Sequence, residues 1–355
     1  MSLKIISIVG NRPQFIKLYP MIRAMKKSIE HLIIHTGQHY DENLDEIFFK
    51  DLGIPDADYN LNLGSGSHCW QIGEGIKRIE SVLTKENPDW VLVYGDTNST
   101  LVGAIASAKL RIPIAHIEAG LRSYDVNMPE EFNRKMTDIC SSMLFCPTRT
   151  AVRNLKKEGF DSNVMNTGDI MYDALMLAQK KAETDILNIL EVESNSYYLA
   201  TIHRAENTDD KSRLKKIIKI LIKLSKSETI IFPVHPRTRE ELSDFDLKGL
   251  RVISPLGYYD MLTLLRNAKK ILTDSGGLQK EAYLMKTPCI TFRENTEWPE
   301  TLNEGWNVLT GIDEKKIAAA ISLDGCDSNL HSPELFGDGK AAYKIMDYLT
   351  ARREV

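Results

Sequence analysis

The sequence lacks the features that mark several common classes of protein. Its five cysteines are scattered without a C-x-x-C pair, which argues against a zinc knuckle or a disulfide framework and favours a reducing cytoplasm. It has no H-E-x-x-H motif and no dense cluster of histidines and carboxylates, so we expect no metal site. No apolar run approaches the ~20 residues that span a bilayer. The net charge of −4 gives no basic field, so we expect neither a membrane nor a nucleic acid as partner.

Two signatures of nucleotide binding are also absent. Without G-x-G-x-x-G a nicotinamide or flavin cofactor is disfavoured, and without G-x-x-x-x-G-K-[ST] an ATP-hydrolysing P-loop is disfavoured more strongly. We therefore expect no cofactor. A bound diphosphate would instead be neutralised by cations and backbone amides. The candidates are Arg12, His235, Arg237 and the Gly276-Gly277 turn, although Arg12 could form a surface salt bridge and His235 could be a core histidine.

The length of 355 residues exceeds the size at which one hydrophobic core usually stops growing, so we expect two domains. Hydrophobic residues at 43% and charged residues at 26% are ordinary for a globular protein. Met1 leads directly into the apolar run Leu3 to Val9, so we expect no secretory leader. No low-complexity linker separates the two halves, and we place the boundary near Gly168 to Met176.

Short apolar runs alternate with helical stretches along the chain, which predicts an α/β fold with parallel sheets. The predicted strands are Leu3–Val9, Leu32–Thr36, Trp90–Tyr94, Ile114–Ile117, Leu144–Pro147, Val164–Thr167, Tyr197–Ile202, Thr229–Val234, Arg251–Ile253, Lys270–Thr273 and Pro288–Phe292. The last predicted helix, Gly339 to Arg352, has apolar residues at helical spacing and needs a surface to cover.

Polar residues follow the strand ends repeatedly. They are Arg12, Gln38-His39, Asp96, Glu118, His203, His235 and Asp274-Ser275. Ligands of open α/β sheets bind outside the carboxyl ends of the strands, so we expect these residues to form one site.

The segment His203-Arg204-Ala205-Glu206-Asn207 joins a predicted strand to the helical run Lys211 to Lys226. It carries an imidazole, a cation and a carboxylate within four residues, which is typical of a functional turn. It could equally be a helix start in which Glu206 and Asn207 only cap the helix.

Asp274-Ser275-Gly276-Gly277 stands between a strand and the helix Leu278 to Met285, and predicts a phosphate site at the helix N-terminus. Simple N-capping by Asp274 or Ser275 could coexist with it. Glu281 could accept hydrogen bonds from a ribose diol or merely complement the helix dipole.

Four carboxylates stand out as candidate general acids or bases. Asp96 and Glu118 each follow an apolar strand directly, whereas Glu130 and Glu131 follow Pro129, where acidic residues are ordinary at a helix start. The loop Arg293 to Glu300 follows the strand Pro288 to Phe292. It is either a charged loop or a source of sugar contacts.

Eight ordered motifs make the resemblance to one family specific. They are Gly10-x-Arg12-Pro13, Gly37-Gln38-His39, Gly95-Asp96-Thr97, His116-x-Glu118-Ala119-Gly120-Leu121-Arg122, Pro129-Glu130-Glu131-x-Asn133-Arg134, Thr201-x-His203-Arg204-x-Glu206-Asn207, Asp274-Ser275-Gly276-Gly277-x-Gln279-x-Glu281 and Thr296-Glu297. The chain resembles the non-hydrolysing UDP-N-acetylglucosamine 2-epimerases. The resemblance implies a GT-B fold, with two doubly wound Rossmann-like domains facing a central cleft. It also implies a cytoplasmic homodimer.

The resemblance further implies a division of labour. Residues 1–170 would carry the catalytic carboxylates, residues 171–336 would bind UDP, and helix 337–355 would pack back on the first domain. The implied catalytic residues are Asp96, Glu118, Glu130 (with Glu131 held open) and His203. The implied UDP-sugar ligands are Arg12, Lys17, Arg204, His235, Ser275, Gly276, Gly277, Glu281 and Arg293. The implied reaction eliminates UDP to form a 2-acetamidoglucal and adds it back.

Several positions depart from the commonest family pattern. They are Gln14 in place of Glu, Met261 in place of an aromatic residue, Lys280 in place of an acid and Trp298 in place of Arg. The runs around Gln14 and Trp298 resemble relatives that act on UDP-2,3-diacetamido-2,3-dideoxy-glucuronic acid, which is therefore a second candidate substrate. A GT-B glycosyltransferase and a hydrolysing epimerase are two further candidate functions. The Gln38-His39 turn resembles part of a second, activating UDP-sugar site, but Tyr40 to Leu44 differ from that pattern.

Overall fold

A computed structural model describes residues 2–37, 49–179, 184–234, 236–243, 245–323 and 332–351, without the side chains of residues 205, 236, 237, 240 and 304. The chain forms two compact units. Unit 1 comprises Met1–Gln179 with Glu334–Val355, and unit 2 comprises Lys180–Pro333. No helix in the described ranges is long and apolar enough to cross a membrane.

Unit 1 contains a seven-stranded sheet whose described pairings are all parallel. Its strands are β1 Leu3–Val9, β2 Ile29–His35, β3 Tyr59–Asn60, β4 Trp90–Tyr94, β5 Ile114–Ile117, β6 Met143–Cys146 and β7 Val164–Asn166. Its helices before the crossing to unit 2 are α1 Arg12–Ala24, α2 His68–Glu86, α3 Asn98–Lys109, α4 Pro129–Cys140, α5 Arg149–Lys157 and α6 Ile170–Gln179. Strand β4 is buried at every residue, which explains its continuous apolar sequence.

The strand order β3-β2-β1-β4-β5-β6-β7 reverses direction between β1 and β4. At such a switch point the turns after neighbouring strands diverge and leave room for a ligand. Arg12 follows β1 there, and Asp96 follows β4. The turn after β4 leads into α3, which Thr97 and Thr100 start with a reciprocal capping box.

Unit 2 contains a six-stranded sheet, also with parallel pairings, in the order β10-β9-β8-β11-β12-β13. Its strands are β8 Tyr197–Thr201, β9 Thr229–Pro233, β10 Arg251–Ile253, β11 Lys270–Thr273, β12 Cys289–Thr291 and β13 Asn307–Leu309. Its helices are α7 Ile186–Ile189, α8 Ala205–Thr208, α9 Lys211–Leu224, α10 Pro236–Glu241, α11 Tyr258–Asn267, α12 Gly276–Leu284 and α13 Glu314–Ser322. Two 3₁₀ segments span Pro299–Gly305 and Pro333–Phe336.

Successive residues of β8 enter two different cores, because side chains alternate across a strand. Tyr198 and Ala200 pack with α9 residues on one face, and Tyr197 and Leu199 pack with α11 residues on the other. Both faces are therefore covered by helices. The switch point of this sheet lies between β8 and β11, which places His203 and Asp274 at neighbouring strand ends.

The C-terminal helix α14, Ala341–Ala351, belongs to unit 1 and buries Ala342, Ile345 and Leu349. Tyr348 packs edge-on against Phe145 of β6. The Asp173 carboxylate of α6 accepts hydrogen bonds from the amides of Ala341 and Ala342, at 3.1 and 2.8 Å. A buried acid thus caps the helix that closes unit 1.

Asp173 gives unit 1 a defined pH dependence. Burial raises the pKa of its carboxyl to about 6, although the amides of Ala342 and Ala341 oppose the rise. Between the ordinary value of 3.8 and about 6, the folded protein holds a proton that the unfolded chain has lost. Stability from this group is therefore largest in acid and is lost as the pH rises through 6. Relative to Asp173→Asn, we expect the wild type to lose about 1 kcal/mol of unfolding free energy between about pH 5 and 7.5.

Chemical denaturation of both proteins across this pH range measures that difference. Asp313 is the control, because this exposed carboxylate caps α13 and the amides of Lys316 and Lys315 lower its pKa. The Asp313 carboxyl is ionised in both the folded and the unfolded protein across this range, so the difference in unfolding free energy between wild type and Asp313→Asn should stay nearly constant. Equal slopes for the two pairs would contradict the assignment.

Candidate active site

In unit 1, a buried arginine holds two of the candidate carboxylates. Nη2 of Arg134 lies 2.6 Å from Oδ2 of Asp96, and its Nη1 lies 2.5 Å from Oε2 of Glu131. The Asp96 side chain is 30% exposed, whereas that of Glu131 is 3% exposed. Arg134 therefore anchors Asp96 at the surface of unit 1 and Glu131 inside it.

Glu131 is engaged by the backbone around it. Its Oε2 accepts hydrogen bonds from the amide and the hydroxyl of Ser123, both at 2.9 Å. Burial opposes its ionisation, but the Ser123 amide, the Arg134 charge and the Ser123 hydroxyl together lower the pKa of its carboxyl. A stabilised carboxylate of this kind is a weak base and a good structural anchor.

Glu130 differs from its neighbour. Its side chain is half-buried and has no hydrogen bond or ion pair within the described part of the chain. A carboxylate that holds no part of the fold is available for proton transfer. The geometry thus favours Glu130 over Glu131 as the third catalytic candidate.

Glu118 is held in an uncommon backbone conformation, with φ of 77°. Its amide and that of Ala119 both donate to the Phe145 carbonyl, at 3.1 and 3.0 Å. Its carboxylate forms a buried ion pair with Lys17 of α1. Strained backbone of this kind is often found at functional sites.

Gly95 brings this ion pair close to Asp96. A Cβ atom at position 95 would lie 2.8 Å from Nζ of Lys17 and 3.1 Å from Oε2 of Glu118. The backbone also has φ of 67° there, so glycine is required twice over. The Lys17–Glu118 pair therefore lies against the turn that carries Asp96, and unit 1 gathers acids and cations that can transfer protons and stabilise charge.

In unit 2, the buried carboxylate of Asp274 ties two motifs together. It accepts hydrogen bonds from the amides of His203 and Arg204, at 3.2 and 3.0 Å, and from Nδ2 of Asn207 at 3.0 Å. Asn207 is fully buried in this arrangement. The His203 side chain remains 40% exposed, with Nδ1 3.5 Å from Oδ1 of Asp274. Asp274 is thus an anchor for the His203–Asn207 turn and presents the imidazole to solvent.

The start of α12 is surrounded by charged side chains. Ser275 caps the helix by accepting from the Leu278 amide at 3.4 Å, so the capping role and an anion site can coexist. A Cβ at Gly276 would lie 3.3 Å from Oε2 of Glu297 and 3.6 Å from Nη2 of Arg204. Glu297 also pairs with Arg293, both nitrogen–oxygen distances being 2.9 Å. Two guanidinium groups, one carboxylate and a helix N-terminus can together bind an anion.

Two of the departures from the family pattern lie in contact. Nζ of Lys280 lies 3.7 Å from the centre of the Trp298 ring, and both side chains are buried. A cation on a buried aromatic face is a favourable pair. Two positions that depart from the family pattern therefore form a single contact within unit 2.

Other predicted residues have plainer surroundings. Arg12 is the first residue of α1 and is half-buried, and Glu281 is buried on α12. Met261 lies on α11 and is buried in the core of unit 2. His235 and the Gln38-His39 turn lie outside the described residues. No group of three or more metal-binding side chains occurs in the described ranges.

Arg134 and His116 belong to the ordered motifs, yet sequence reasoning gave them no role. Arg134 follows Glu131 by three residues, a helical spacing that brings side chains together, so this pair was detectable. The contact with Asp96 was not detectable, because it joins residues 38 positions apart.

Comparisons with known proteins identify the family of the chain. The family model described as UDP-N-acetylglucosamine 2-epimerase matches residues 23–350. A protein of Methanococcus maripaludis, called a UDP-N-acetylglucosamine 2-epimerase homolog, is 53% identical over 98% of this chain and 99% of its own. A UDP-2,3-diacetamido-2,3-dideoxy-D-glucuronate 2-epimerase of Pseudomonas aeruginosa is 44% identical over 98% of this chain and 99% of its own.

A crystal structure of Methanocaldococcus jannaschii UDP-GlcNAc 2-epimerase, in complex with UDP-GlcNAc and UDP, matches with a TM-score of 0.90 and 44% identity. The match covers 98% of this chain and 100% of that one. The fold class expected from the sequence, two Rossmann-like units of the GT-B type, is confirmed. The chain belongs to the UDP-N-acetylglucosamine 2-epimerase family, as its motifs indicated.

Proposed function

We propose that the protein is a non-hydrolysing epimerase that interconverts UDP-N-acetylglucosamine and UDP-N-acetylmannosamine at C2. The observation that carries this proposal is the turn after β4, where Asp96 pairs with Arg134 and against which the Glu118–Lys17 ion pair lies. Such a cluster can remove and return a proton without a cofactor. Membership of the epimerase family supports the same reaction.

The chemistry requires the diphosphate to leave. The C2 hydrogen of a sugar is not acidic, but cleavage of the C1–O bond gives C1 oxocarbenium character and makes that hydrogen easy to remove. A carboxylate takes the proton, and the bonding electrons form the C1–C2 double bond of a 2-acetamidoglucal. A proton delivered to the opposite face of C2, with the return of UDP to C1, gives the epimer. UDP is released and recaptured, so no oxidant or water is consumed.

Unit 1 supplies the proton-transfer groups in this proposal. Asp96, Glu118 and Glu130 divide the transfers between the two faces of the sugar. Lys17 and Arg134 neutralise neighbouring carboxylates, which allows several acids to occupy a small volume. We assign Lys17 this electrostatic role beside its predicted contact with the UDP-sugar.

Unit 2 supplies most of the groups that bind UDP in this proposal. The amides at Ser275, Gly276 and Gly277, with Arg204 and Arg293, stabilise the charge that develops on the departing diphosphate. The imidazole of His203, which Asp274 holds in place, is a further polar group that stabilises the charge on the departing diphosphate. The predicted contacts of Arg12, His235 and Glu281 complete the set that we propose for UDP.

Proton NMR in D2O with UDP-N-acetylglucosamine tests the function. Deuterium at C2 in a mixture of gluco and manno UDP-sugars is the expected result. Free deuterated N-acetylmannosamine with UDP would instead identify a hydrolysing epimerase. Absence of exchange with this sugar and with its 2,3-diacetamido uronate analogue would overturn C2 epimerisation and leave a glycosyltransferase to be tested with acceptors.

The 2,3-diacetamido uronate sugar nucleotide is the second candidate substrate. The P. aeruginosa relative that carries this substrate in its name supports it. The Lys280–Trp298 pair, which departs from the commonest family pattern, supports it as well. Exchange at C2 of this sugar alone, under the same NMR conditions, would establish it.

Glu130 and Glu131 give a direct prediction. We expect Glu130→Gln to lower kcat by about 100-fold or more with little loss of stability, because its carboxylate holds no part of the fold. We expect Glu131→Gln to cost about 2 kcal/mol of unfolding free energy, because one of its oxygens serves Arg134 and Ser123. Turnover and chemical denaturation of both variants are the measurements.

The two substitutions serve as each other's control, since they are adjacent and chemically identical. The reverse result, with activity lost only in Glu131→Gln and stability lost only in Glu130→Gln, would exchange the roles.

We also propose a homodimer that works in the cytoplasm. Four large apolar side chains on α4 and the loop before it are more than 60% exposed in the single chain: Tyr124, Val126, Phe132 and Ile139. Monomeric proteins seldom expose a group of this kind without a partner. The four described cysteines are free thiols, which suits a reducing compartment. Light scattering that gives twice the chain mass of 40.2 kDa would support the dimer, and a mass of one chain would contradict it.

A further inference from the structure

The turn that carries Asp96 has three consecutive backbone carbonyls bound by buried side chains. The Tyr94 carbonyl accepts from Nε2 of Gln14 at 2.9 Å, and the Asp96 carbonyl accepts from Nδ2 of Asn133 at 3.0 Å. Between them, the Gly95 carbonyl lies 2.7 Å from Nε2 of His116. A carbonyl oxygen carries no hydrogen, so Nε2 of His116 is the donor. Helices α1 and α4 and strand β5 thus each contribute one donor.

Two of the three donors, Gln14 and His116, are themselves held in place. Oε1 of Gln14 accepts from the Gly10 amide at 2.7 Å, which links this turn to the turn after β1. Nδ1 of His116 lies 2.7 Å from Oδ1 of Asp138. Oδ2 of Asp138 lies 2.8 Å from Nη2 of the buried Arg122. Gln14 and His116 therefore have fixed orientations before any ligand binds.

Tyr94 and Gly95 are buried, so the carbonyls of this turn need hydrogen-bond donors from the protein. The Thr100 hydroxyl also donates to the Tyr94 carbonyl, at 2.7 Å. Gln14, His116 and Asn133 are all buried, while the Asp96 carboxylate above them reaches solvent. A dry, fully bonded backbone beneath an accessible acid fixes where that acid points.

We propose that His116, Gln14 and Asn133 are positioning residues for Asp96. They hold the carbonyls of residues 94 to 96 so that the carboxylate meets C2 of the sugar in a reactive geometry. This inference rests on the proposed function, because it assigns Asp96 a proton transfer. His116 offers the sharpest test, since its two ring nitrogens have different partners.

Two substitutions separate those partners. In His116→Gln, the side-chain amide nitrogen reaches the place of Nε2 and can still donate to Gly95. In His116→Asn, it reaches the place of Nδ1 and can serve only Asp138. We expect His116→Gln to keep kcat within about tenfold of wild type. We expect His116→Asn to lose about 100-fold in kcat with KM changed by less than about threefold, because a small misplacement of a catalytic group has that effect.

The control is Thr287→Val in unit 2. Its hydroxyl donates to the Leu265 carbonyl at 3.0 Å, so the substitution removes another buried side-chain bond to a carbonyl. We expect it to reduce thermal stability without changing kcat. A merely structural role of His116 would make kcat follow the folded fraction in every variant.

C2 deuterium exchange and steady-state kinetics on all four proteins decide the matter. Recovery by His116→Gln and not by His116→Asn supports the inference. If the wild type is active and the two variants lose kcat equally, the positioning role of His116 is overturned but the proposed function is not. A wild type that exchanges C2 in neither UDP-sugar overturns the proposed function and this inference together.

Discussion

Asp96→Asn is expected to reduce C2 deuterium exchange by about 1,000-fold or more, with UDP affinity changed by less than about threefold. Asparagine has the shape of aspartate but cannot accept the proton, and general acid–base groups typically contribute factors of this order. Arg134 keeps its contact with Glu131 in the variant, so unit 1 should retain its fold. UDP affinity should persist because the proposed UDP ligands lie mainly in unit 2.

Deuterium exchange measured by NMR and UDP binding measured by calorimetry report the two quantities separately. Asp89→Asn is the matched control, because Asp89 lies just before β4, at the opposite end of the strand that Asp96 follows. It accepts a hydrogen bond from the Lys4 amide at 2.7 Å and should not affect turnover. Near-normal exchange in Asp96→Asn would remove Asp96 from the mechanism.

Asp274→Ala is expected to destabilise unit 2 by about 3–5 kcal/mol and to abolish measurable UDP binding. Asp274 is fully buried and accepts bonds from two amides and the Asn207 side chain. Alanine would leave these donors without an acceptor in a dry environment. The His203–Asn207 turn would then reorganise, and His203 and Arg204 would no longer be held beside α12.

Asp274→Asn should have a smaller effect, because its amide oxygen still accepts some of these bonds. The control is Asp210→Ala in the same unit, where the carboxylate caps α9 by accepting from the Ser212 and Arg213 amides, at 2.8 and 3.1 Å. Loss of that cap should cost about 1 kcal/mol and leave UDP binding intact. Urea denaturation and UDP titration measure both effects. If Asp274→Ala behaved like the capping control, Asp274 would not anchor the turn.

Some secondary-structure elements could be predicted from the local sequence and others could not. The strand Trp90–Tyr94 was predicted with its observed limits, since five apolar residues followed by Gly-Asp-Thr permit few other conformations. Strands β3 and β13 were not predicted, because stretches of two and three residues carry no periodic signal. The motif Asp274-Ser275-Gly276-Gly277 was predicted to bind an anion or cap a helix, and the Ser275 cap is present.

Partners distant in sequence could not be assigned in this way. Lys17 was assigned to the UDP-sugar, and its ion pair with Glu118 joins residues 101 positions apart. Lys280 and Trp298 each departed from the family pattern without explanation until their contact was known. Side-chain pairing depends on which strands become neighbours, and no local pattern contains that information.

The sequence by itself determined the α/β class, the family and the set of polar residues at strand ends. Apolar periodicity, turn residues and ordered motifs are local properties, because each depends on residues that are near one another in the sequence. Only the tertiary structure decided which acid pairs with each cation. It also decided that Glu131 anchors a loop while Glu130 is available for proton transfer. Finally, it decided that three buried side chains hold the Asp96 turn. Burial and long-range hydrogen bonds create those distinctions, because identical carboxylates acquire different roles only when folding gives them different surroundings.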